Sequence, residues 1–342
     1  MLSKRIKIRR EIISLMRGFY FLPIFLELHK NKVLEKLNSN KFVKINSLNF
    51  KNKIFLKYIF DYMVRLGIFS EKENRYKITS EGRKMLKRVG TMYILNSYNK
   101  ITTNFNYNLN NKINSKNLCE RKDNIIGSGL IHVKKFFEPS LEMINLKNVK
   151  TILDIGCGDG TFLNTVKKSN SQINLLGCDL SKESVKQTKK KLKFQNRSKN
   201  IFRVNGANIL EIKNKAKLSK YTIDQNSIIS LWFLLHEISQ NRPSVIIEYL
   251  KKMRKNFPKT PLLIGEISKM DNETVKSQKE VSIMPEFMLF HELSSQGLLS
   301  ENQYLNIFQK SSYKLKKIYR TDNFKFDRFK SSSNFIALIV PN

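Results

Sequence analysis

Acidic side chains are scarce in this chain of 342 residues: 28 Asp and Glu stand against 63 Lys and Arg, for a formal net charge of +35. Cysteine is scarcer still. The three that occur, Cys119, Cys157 and Cys178, form no CxxC pair and no even framework. That excludes a disulfide scaffold or a cysteine zinc site and fits a reducing compartment. With only 13 Gly and 7 Pro, a collagen-like or low-complexity chain is excluded as well. The longest apolar stretches, such as Phe19–Leu28 and Ile228–Leu235, fall short of the ~20 residues that span a bilayer. The basic start Met1–Arg10 is not followed by the apolar run and small-residue cleavage site of a signal peptide. A soluble cytoplasmic protein is the expectation.

What is present is ample core material, 41% hydrophobic and 11% aromatic residues, in a chain long enough for two domains. The positive charge is spread rather than clustered, and Lys outnumbers Arg about threefold. Arg is the residue expected where bidentate phosphate recognition matters. Counterion release would then support only weak, nonspecific contact with nucleic acid, and a chain-wide compositional bias accounts for the lysines.

Three zones follow one another. Residues 1–100 carry apolar residues at helical spacing through Ile12–Leu28 and Ile54–Leu66. Gly67 is placed as a C-cap, Ile68-Phe69 and Tyr76-Lys77-Ile78 flank a polar turn at Glu71–Asn74, and a basic helix follows at Arg83–Val89. Helix, helix, hairpin and helix is a winged-helix order. The segment "LGIFSEKENRYKITSEGRKML" (Leu66–Leu86) resembles the N-terminal dimerisation domain of many small-molecule methyltransferases, which implies a homodimer. A DNA-binding winged helix shares the outline. Residues 101–147 are an Asn-rich connector, then Gly127-Ser128-Gly129 before a helix at His132–Ile144 that covers the next domain's entrance. Residues 148–342 alternate short β-branched apolar runs with helical patterns, the mark of an α/β, doubly wound Rossmann-like sheet.

Within that zone "VKTILDIGCGDGTFL" (Val149–Leu163) runs an apolar strand, Thr151–Ile155, into Gly156-Cys157-Gly158-Asp159-Gly160 and a helix from Thr161. Such glycines take positive φ and let a ligand approach the backbone at a helix N-terminus. The GxGxxG dinucleotide fingerprint fails here, because Thr161 stands where the third glycine belongs. Asp154-x-Gly156-x-Gly158-x-Gly160 instead resembles motif I of class I S-adenosylmethionine (SAM) methyltransferases. A second strand, Asn174–Cys178, ends in Asp179, about twenty residues on, where a carboxylate meets ribose hydroxyls. A third, Phe202–Val204, precedes Ala207-Asn208-Ile209. The resemblance implies cofactor contacts at Asp154, Gly156, Cys157, Gly158, Gly160, Asp179, Leu180 and Asn208. Asn208 stands where the family carries an Asp for the adenine amino group.

Four histidines occur: His29, His132, His236 and His291. His29 ends a helix and reads as a surface residue. A buried fourth strand, Ser227–Leu235, delivers His236 and Glu237 to its carboxyl end, where ligands of open α/β sheets bind. "LLHEISQNRPSVIIEYLKKM" is similar to the strand-4 segment of winged-helix O-methyltransferases. There the matching His is a general base supported by an acid on the next strand, here Glu266 in Leu262–Ile267. "GSGLIHVKKFFEP" (Gly127–Pro139), "LLHEIS" and "PEFMLFHE" are similar to the α-keto acid C-methyltransferases. That resemblance implies His236 and His291 as ligands of a metal such as Fe or Zn and methylation of a 2-oxo acid at its β-carbon; Glu237 and Glu286 are candidates for further ligands, proton carriers or substrate contacts. His291 lies in one helix over Met284–Gly297, and Arg121 or Lys122 are candidates for pairing with the substrate carboxylate. The alternatives are O-methylation of a hydroxylated small molecule with His236 as base, and a winged-helix nucleic-acid binder or RNA methyltransferase.

Overall fold

The computed structural model describes residues 2–342 except 40, 112–117, 194–199, 207, 218–220, 240–241, 279–282, 295 and 322–333. The chain divides into two compact units: residues 1–102 with 120–131, and residues 103–119 with 132–342.

The first unit opens with a helix, Leu2–Lys30, whose last turns bury Phe25, Leu26 and Leu28 in the unit's core while Leu15 and Phe19 are 75% and 76% exposed. Within its stretch Ile6–Lys30 an 18-residue window reaches a mean hydropathy of 1.3, so this helix is long and apolar enough to cross a membrane by length and composition alone. Counting uninterrupted apolar runs missed this, because Arg9, Arg10 and Arg17 break the run without ending the helix. Strand β1 (Val43–Lys44) pairs with β3 (Arg75–Ile78), which pairs with β2 (Phe69–Lys72). The β2–β3 turn places Glu73 at φ 52° and Asn74 at φ 56°, the left-handed pair that a two-residue type I′ hairpin requires. Gly67, at φ 72°, ends the helix Lys53–Arg65 as expected. The next helix starts earlier than its apolar pattern suggests, at Ser80, because the Thr79 side chain accepts the Gly82 N–H as an N-cap. His29 is not a surface residue: it is half-buried, with Nδ1 2.9 Å from the Tyr93 hydroxyl. Gly127, Ser128 and Gly129 form no loop. They lie inside the helix Arg121–His132, where a Cβ on Gly127 would meet the Gly90 carbonyl oxygen at 2.7 Å.

The second unit is built on a seven-stranded sheet of β4 (Thr151–Ile155), β5 (Asn174–Asp179), β6 (Ile201–Arg203), β7 (Ser227–Trp232), β8 (Leu262–Ile267), β9 (Tyr313–Arg320) and β10 (Asn334–Pro341). Their spatial order is β6-β5-β4-β7-β8-β10-β9; the first five are parallel, and β10 runs antiparallel to both neighbours. Strands β4, β5, β7, β8 and β10 are buried on both faces and read as near-continuous apolar runs, whereas the edge strand β9 is largely exposed. Successive residues feed two cores: Leu153 and Ile155 join Leu231, Leu250 and Phe335 on one face, while Ile152 joins Phe162, Trp232 and Leu263 on the other. The expected helix at His132–Ile144 is interrupted by a π-turn, Val133–Phe137, before resuming at Glu138–Ile144. Strand order reverses between β4 and β7, which opens a crevice at their carboxyl ends.

Candidate active site

Both loops that leave this crevice carry the residues singled out above. After β4 the chain turns through Gly156, Gly158 and Gly160 at φ 76°, 54° and 77°. These are three left-handed positions that β-carbon-bearing residues resist. They serve different ends. A Cβ on Gly156 would touch nothing closer than Leu234 at 3.6 Å, so its requirement is conformational; a Cβ on Gly160 would strike Thr188 at 2.7 Å. Cys157 sends its thiol inward, 3.8 Å from the Thr188 hydroxyl and 6% exposed, so only its backbone faces the loop.

Asp179 closes β5 with each carboxylate oxygen accepting a backbone N–H: Oδ2 the Gly158 N–H at 2.9 Å and Oδ1 the Ser181 N–H at 2.8 Å. A carboxylate offers about four acceptor positions, so capacity remains for a vicinal diol. Burial pushes its carboxyl above the usual range, the two backbone N–H groups pull it down, and the nearby charge of Glu237 raises it. Asp154, 1% exposed, accepts the Ser230 hydroxyl at 2.7 Å. Burial lifts it to about 8, opposed by Ser230 and aided by Asp179. A cation placed beside such a carboxyl would favour its charged form. The neighbouring Leu180 is 58% exposed at the mouth of the crevice, an apolar surface suited to a purine face. These features fit SAM, which brings an ammonium, a ribose and an adenine. Asn208 is exposed and caps the helix Ile209–Lys217 by accepting the Glu211 N–H at 3.2 Å; Ala207 lies outside the described residues.

The second loop differs from expectation in one respect. β7 stops at Trp232, Phe233 turns through φ 54°, and Leu235-His236-Glu237 lie in a short helix, Leu235–Ser239. His236 is 4% exposed, and its Nδ1 lies 2.7 Å from Oε2 of Glu266, which is fully buried on β8. The other oxygen, Oε1, accepts the Leu235 N–H at 2.7 Å. Glu266 therefore fixes the imidazole in the tautomer that carries its proton on Nδ1, which makes Nε2 the basic nitrogen.

His291 meets His236 with ring centroids 5.2 Å apart. It sits in the helix Met284–Leu293, shorter than expected because its pattern stops before Ser294; Ser295 lies outside the described residues. Its Nδ1 is 2.7 Å from the Phe287 carbonyl, an acceptor only, so this nitrogen carries the hydrogen. Burial and the adjacent His236 push His291 down to about 3, and it is neutral at physiological pH. Glu286 is exposed in the first turn of that helix, and Arg121 and Lys122 are exposed at the start of a helix of the first unit. Among the described residues no group of three or more His, Cys, Asp or Glu side chains is placed to hold a metal; two imidazoles alone are an incomplete donor set.

His132, to which the sequence assigns no role, ends the helix Arg121–His132. Its ring stacks on Phe233 at 4.0 Å and 28°, and burial pushes it down to about 3. No spacing signal marks it, because its partner is distant in sequence.

Comparison with known proteins agrees with this geometry. Residues 153–256 match the family model of a methyltransferase domain, and residues 17–109 match the AprA winged helix domain. No curated protein matches the sequence. Among solved structures, the chain is similar to the mitomycin 7-O-methyltransferase MmcR, at 11% identity and TM-score 0.62, with 100% of each chain covered. It is similar to PigF solved with S-adenosylhomocysteine (SAH), at 12% identity and TM-score 0.63, covering 97% of this chain and 99% of that one. A third is human N-acetylserotonin methyltransferase in complex with SAM, at 10% identity and TM-score 0.63, covering 98% and 97%. At such identities these structures speak for the fold, and the domain match speaks for the chemistry. With that domain enclosing Asp154, the glycine turn, Asp179 and His236, the chain is a SAM-dependent methyltransferase carrying an AprA-type winged helix domain.

Proposed function

We propose that the enzyme methylates a small organic acceptor at an oxygen whose proton is taken by His236. The observation that carries this is the buried His236–Glu266 pair at 2.7 Å, at the carboxyl ends of β7 and β8. SAM, when bound, supplies an electrophilic methyl group on its sulfonium. Asp179 would hold the ribose hydroxyls, and Asp154 the ammonium end. An acceptor hydroxyl placed at Nε2 of His236 loses its proton as its oxygen attacks, and the Glu266 carboxyl at Nδ1 orients the ring and stabilises the imidazolium that forms. Glu237 lies close enough to Asp179 to raise it, so it stands on the cofactor side rather than as a second base. MmcR is by name an O-methyltransferase, which supports the oxygen acceptor.

A second reading is favoured by His291, whose ring stands 5.2 Å from that of His236. An enolisable 2-oxo acid also has to lose a proton, from its β-carbon, before methylation at carbon. In that reading His236 and His291 would hold an Fe or Zn ion through Nε2, the acceptor's oxygens completing the coordination, and the ion would act as a Lewis acid on the carbonyl. We also infer a homodimer through the helix Leu2–Lys30, whose exposed Ile12, Leu15, Met16 and Phe19 form a large apolar surface; light scattering in moderate salt should give twice the chain mass.

The test is the product. Incubated with methyl-labelled SAM and a panel of phenols, other hydroxylated small molecules, 2-oxo acids and RNA, the enzyme should give a methyl ether and tolerate chelators. A new C–CH3 signal, with loss of turnover in His291→Ala and in chelator, selects the second reading. Methylated RNA would end both.

A further inference from the structure

The apex of the glycine turn is Gly158, and both ends of its backbone are tied down. Its N–H donates to Oδ2 of Asp179 at 2.9 Å. Its carbonyl accepts the Thr188 hydroxyl, also at 2.9 Å. Thr188 comes from the helix Lys182–Lys191, outside the glycine motif, and is fully buried. The same side chain fills the space over the next glycine: its methyl carbon is the atom a Cβ at position 160 would meet at 2.7 Å, with its hydroxyl at 3.0 Å. One turn further along the same helix, Lys191 grips the loop again. Its ammonium bonds the Asp159 carboxylate and lies 2.6 Å from the Thr161 hydroxyl. Asp159 in turn accepts the Thr161 N–H at 3.0 Å and the Thr161 hydroxyl at 2.6 Å.

These contacts do more than close a turn. A left-handed glycine has several conformations of similar energy when nothing fixes it. Gly158 is fixed by two hydrogen bonds, one of which shares the Asp179 carboxylate that faces the crevice. If the Gly158 peptide rotates, Asp179 loses one of the two N–H groups that aim it. Ordering the loop before the cofactor arrives removes that cost from binding.

We propose that Thr188 is a positioning residue for the cofactor: through its hydroxyl bond to the Gly158 carbonyl it holds the glycine turn, and with it Asp179, in the shape that receives SAM. The inference rests on the assignment of this turn to the SAM site. It separates two roles of one side chain, the hydroxyl that orders the loop and the methyl that packs against Gly160. Thr188→Val keeps the volume and removes the donor; Thr188→Ser keeps the donor and removes the methyl.

The experiment is calorimetric titration of wild type and both variants with SAH, with the melting temperature of each ligand-free protein measured alongside. Loss of a buried hydrogen bond of ordinary strength should weaken SAH binding by Thr188→Val about three- to tenfold, while its melting temperature falls little. Thr188→Ser should bind SAH within about twofold of wild type whatever its melting temperature, since the donor remains. If the valine variant fails to fold, Thr188→Ala, which cannot overfill the site, makes the same comparison. Wild-type affinity in the valine or alanine variant would overturn the proposal. So would equal losses in the serine and valine variants that track melting temperature, because packing alone would then explain them. Failure of the wild-type protein to bind SAH would overturn the cofactor-site assignment itself.

Discussion

Asp154 and Asp179 stand at the carboxyl ends of adjacent strands, yet their surroundings fit them for different partners. Asp179 is aimed by two backbone N–H groups and keeps acceptor capacity for a diol. Replacing it by Ala should lose charge-assisted hydrogen bonds worth roughly 1.5–3 kcal/mol, so SAH affinity measured by calorimetry should fall ten- to a hundredfold. Asp154 is dry, bonded to Ser230, and lifted by burial to about 8. At pH 7 the ligand-free protein therefore holds it mainly protonated, and the carboxylate prevails only above about 8. A cofactor ammonium placed beside it favours the ionised form and expels the proton. Two consequences share one sign: cofactor affinity should rise as pH climbs from 6 to 8, and binding at pH 7 should release a proton. Titrations in two buffers of different ionisation enthalpy should give different apparent heats. Equal heats would show that no proton leaves and that the ammonium binds elsewhere.

At the scale of elements, the same residue type is used in opposite ways. Gly156 serves a strand-to-helix turn, and that role is legible because Asp, apolar strand and spaced glycines lie in one short stretch. Gly127 serves the contact between the helices Arg121–His132 and Val89–Ser97, where a Cβ would meet the Gly90 carbonyl oxygen at 2.7 Å and the Ile94 nitrogen at 2.9 Å. Its role depends on residues more than thirty positions away, and from sequence it reads as a loop. Gly127→Ala should destabilise the first unit by about 1–3 kcal/mol through overpacking, although alanine is the better helix former; urea unfolding checks this, and a more stable variant would disprove the close contact. The end of β7 was illegible for a related reason. From Ile228 to Leu235 the chain is apolar apart from Ser230, so hydrophobicity cannot show that Phe233 turns through φ 54° and that His236 sits on a helix. The pairing of His236 with Glu266 was nevertheless readable, because parallel strands bring their carboxyl ends to one edge whatever the loop conformation. Glu286 precedes His291 by five positions, more than one helical turn and off its face, and is exposed.

For the whole molecule, the net charge of +35 is the property most open to overinterpretation. A diffuse field attracts any polyanion, but affinity carried by counterion release falls steeply with salt and shows no sequence preference. Fluorescence anisotropy with arbitrary RNA and DNA duplexes should therefore show binding at low salt that collapses near physiological ionic strength. Tight binding to one sequence at that salt would recast the winged helix unit as a reader of nucleic acid.

The chemistry turns on His236, and one variant addresses it most directly. Methyl transfer from labelled SAM to the best acceptor of the panel should be compared in wild type and His236→Ala, with SAH affinity measured for both. General-base catalysis contributes roughly 10²–10⁴ in rate. Turnover in His236→Ala should drop by at least a hundredfold while SAH affinity stays within about twofold, because Asp154, Asp179 and the glycine turn remain in place. Turnover within tenfold of wild type, with SAH still bound, would contradict the assignment of His236 as the base.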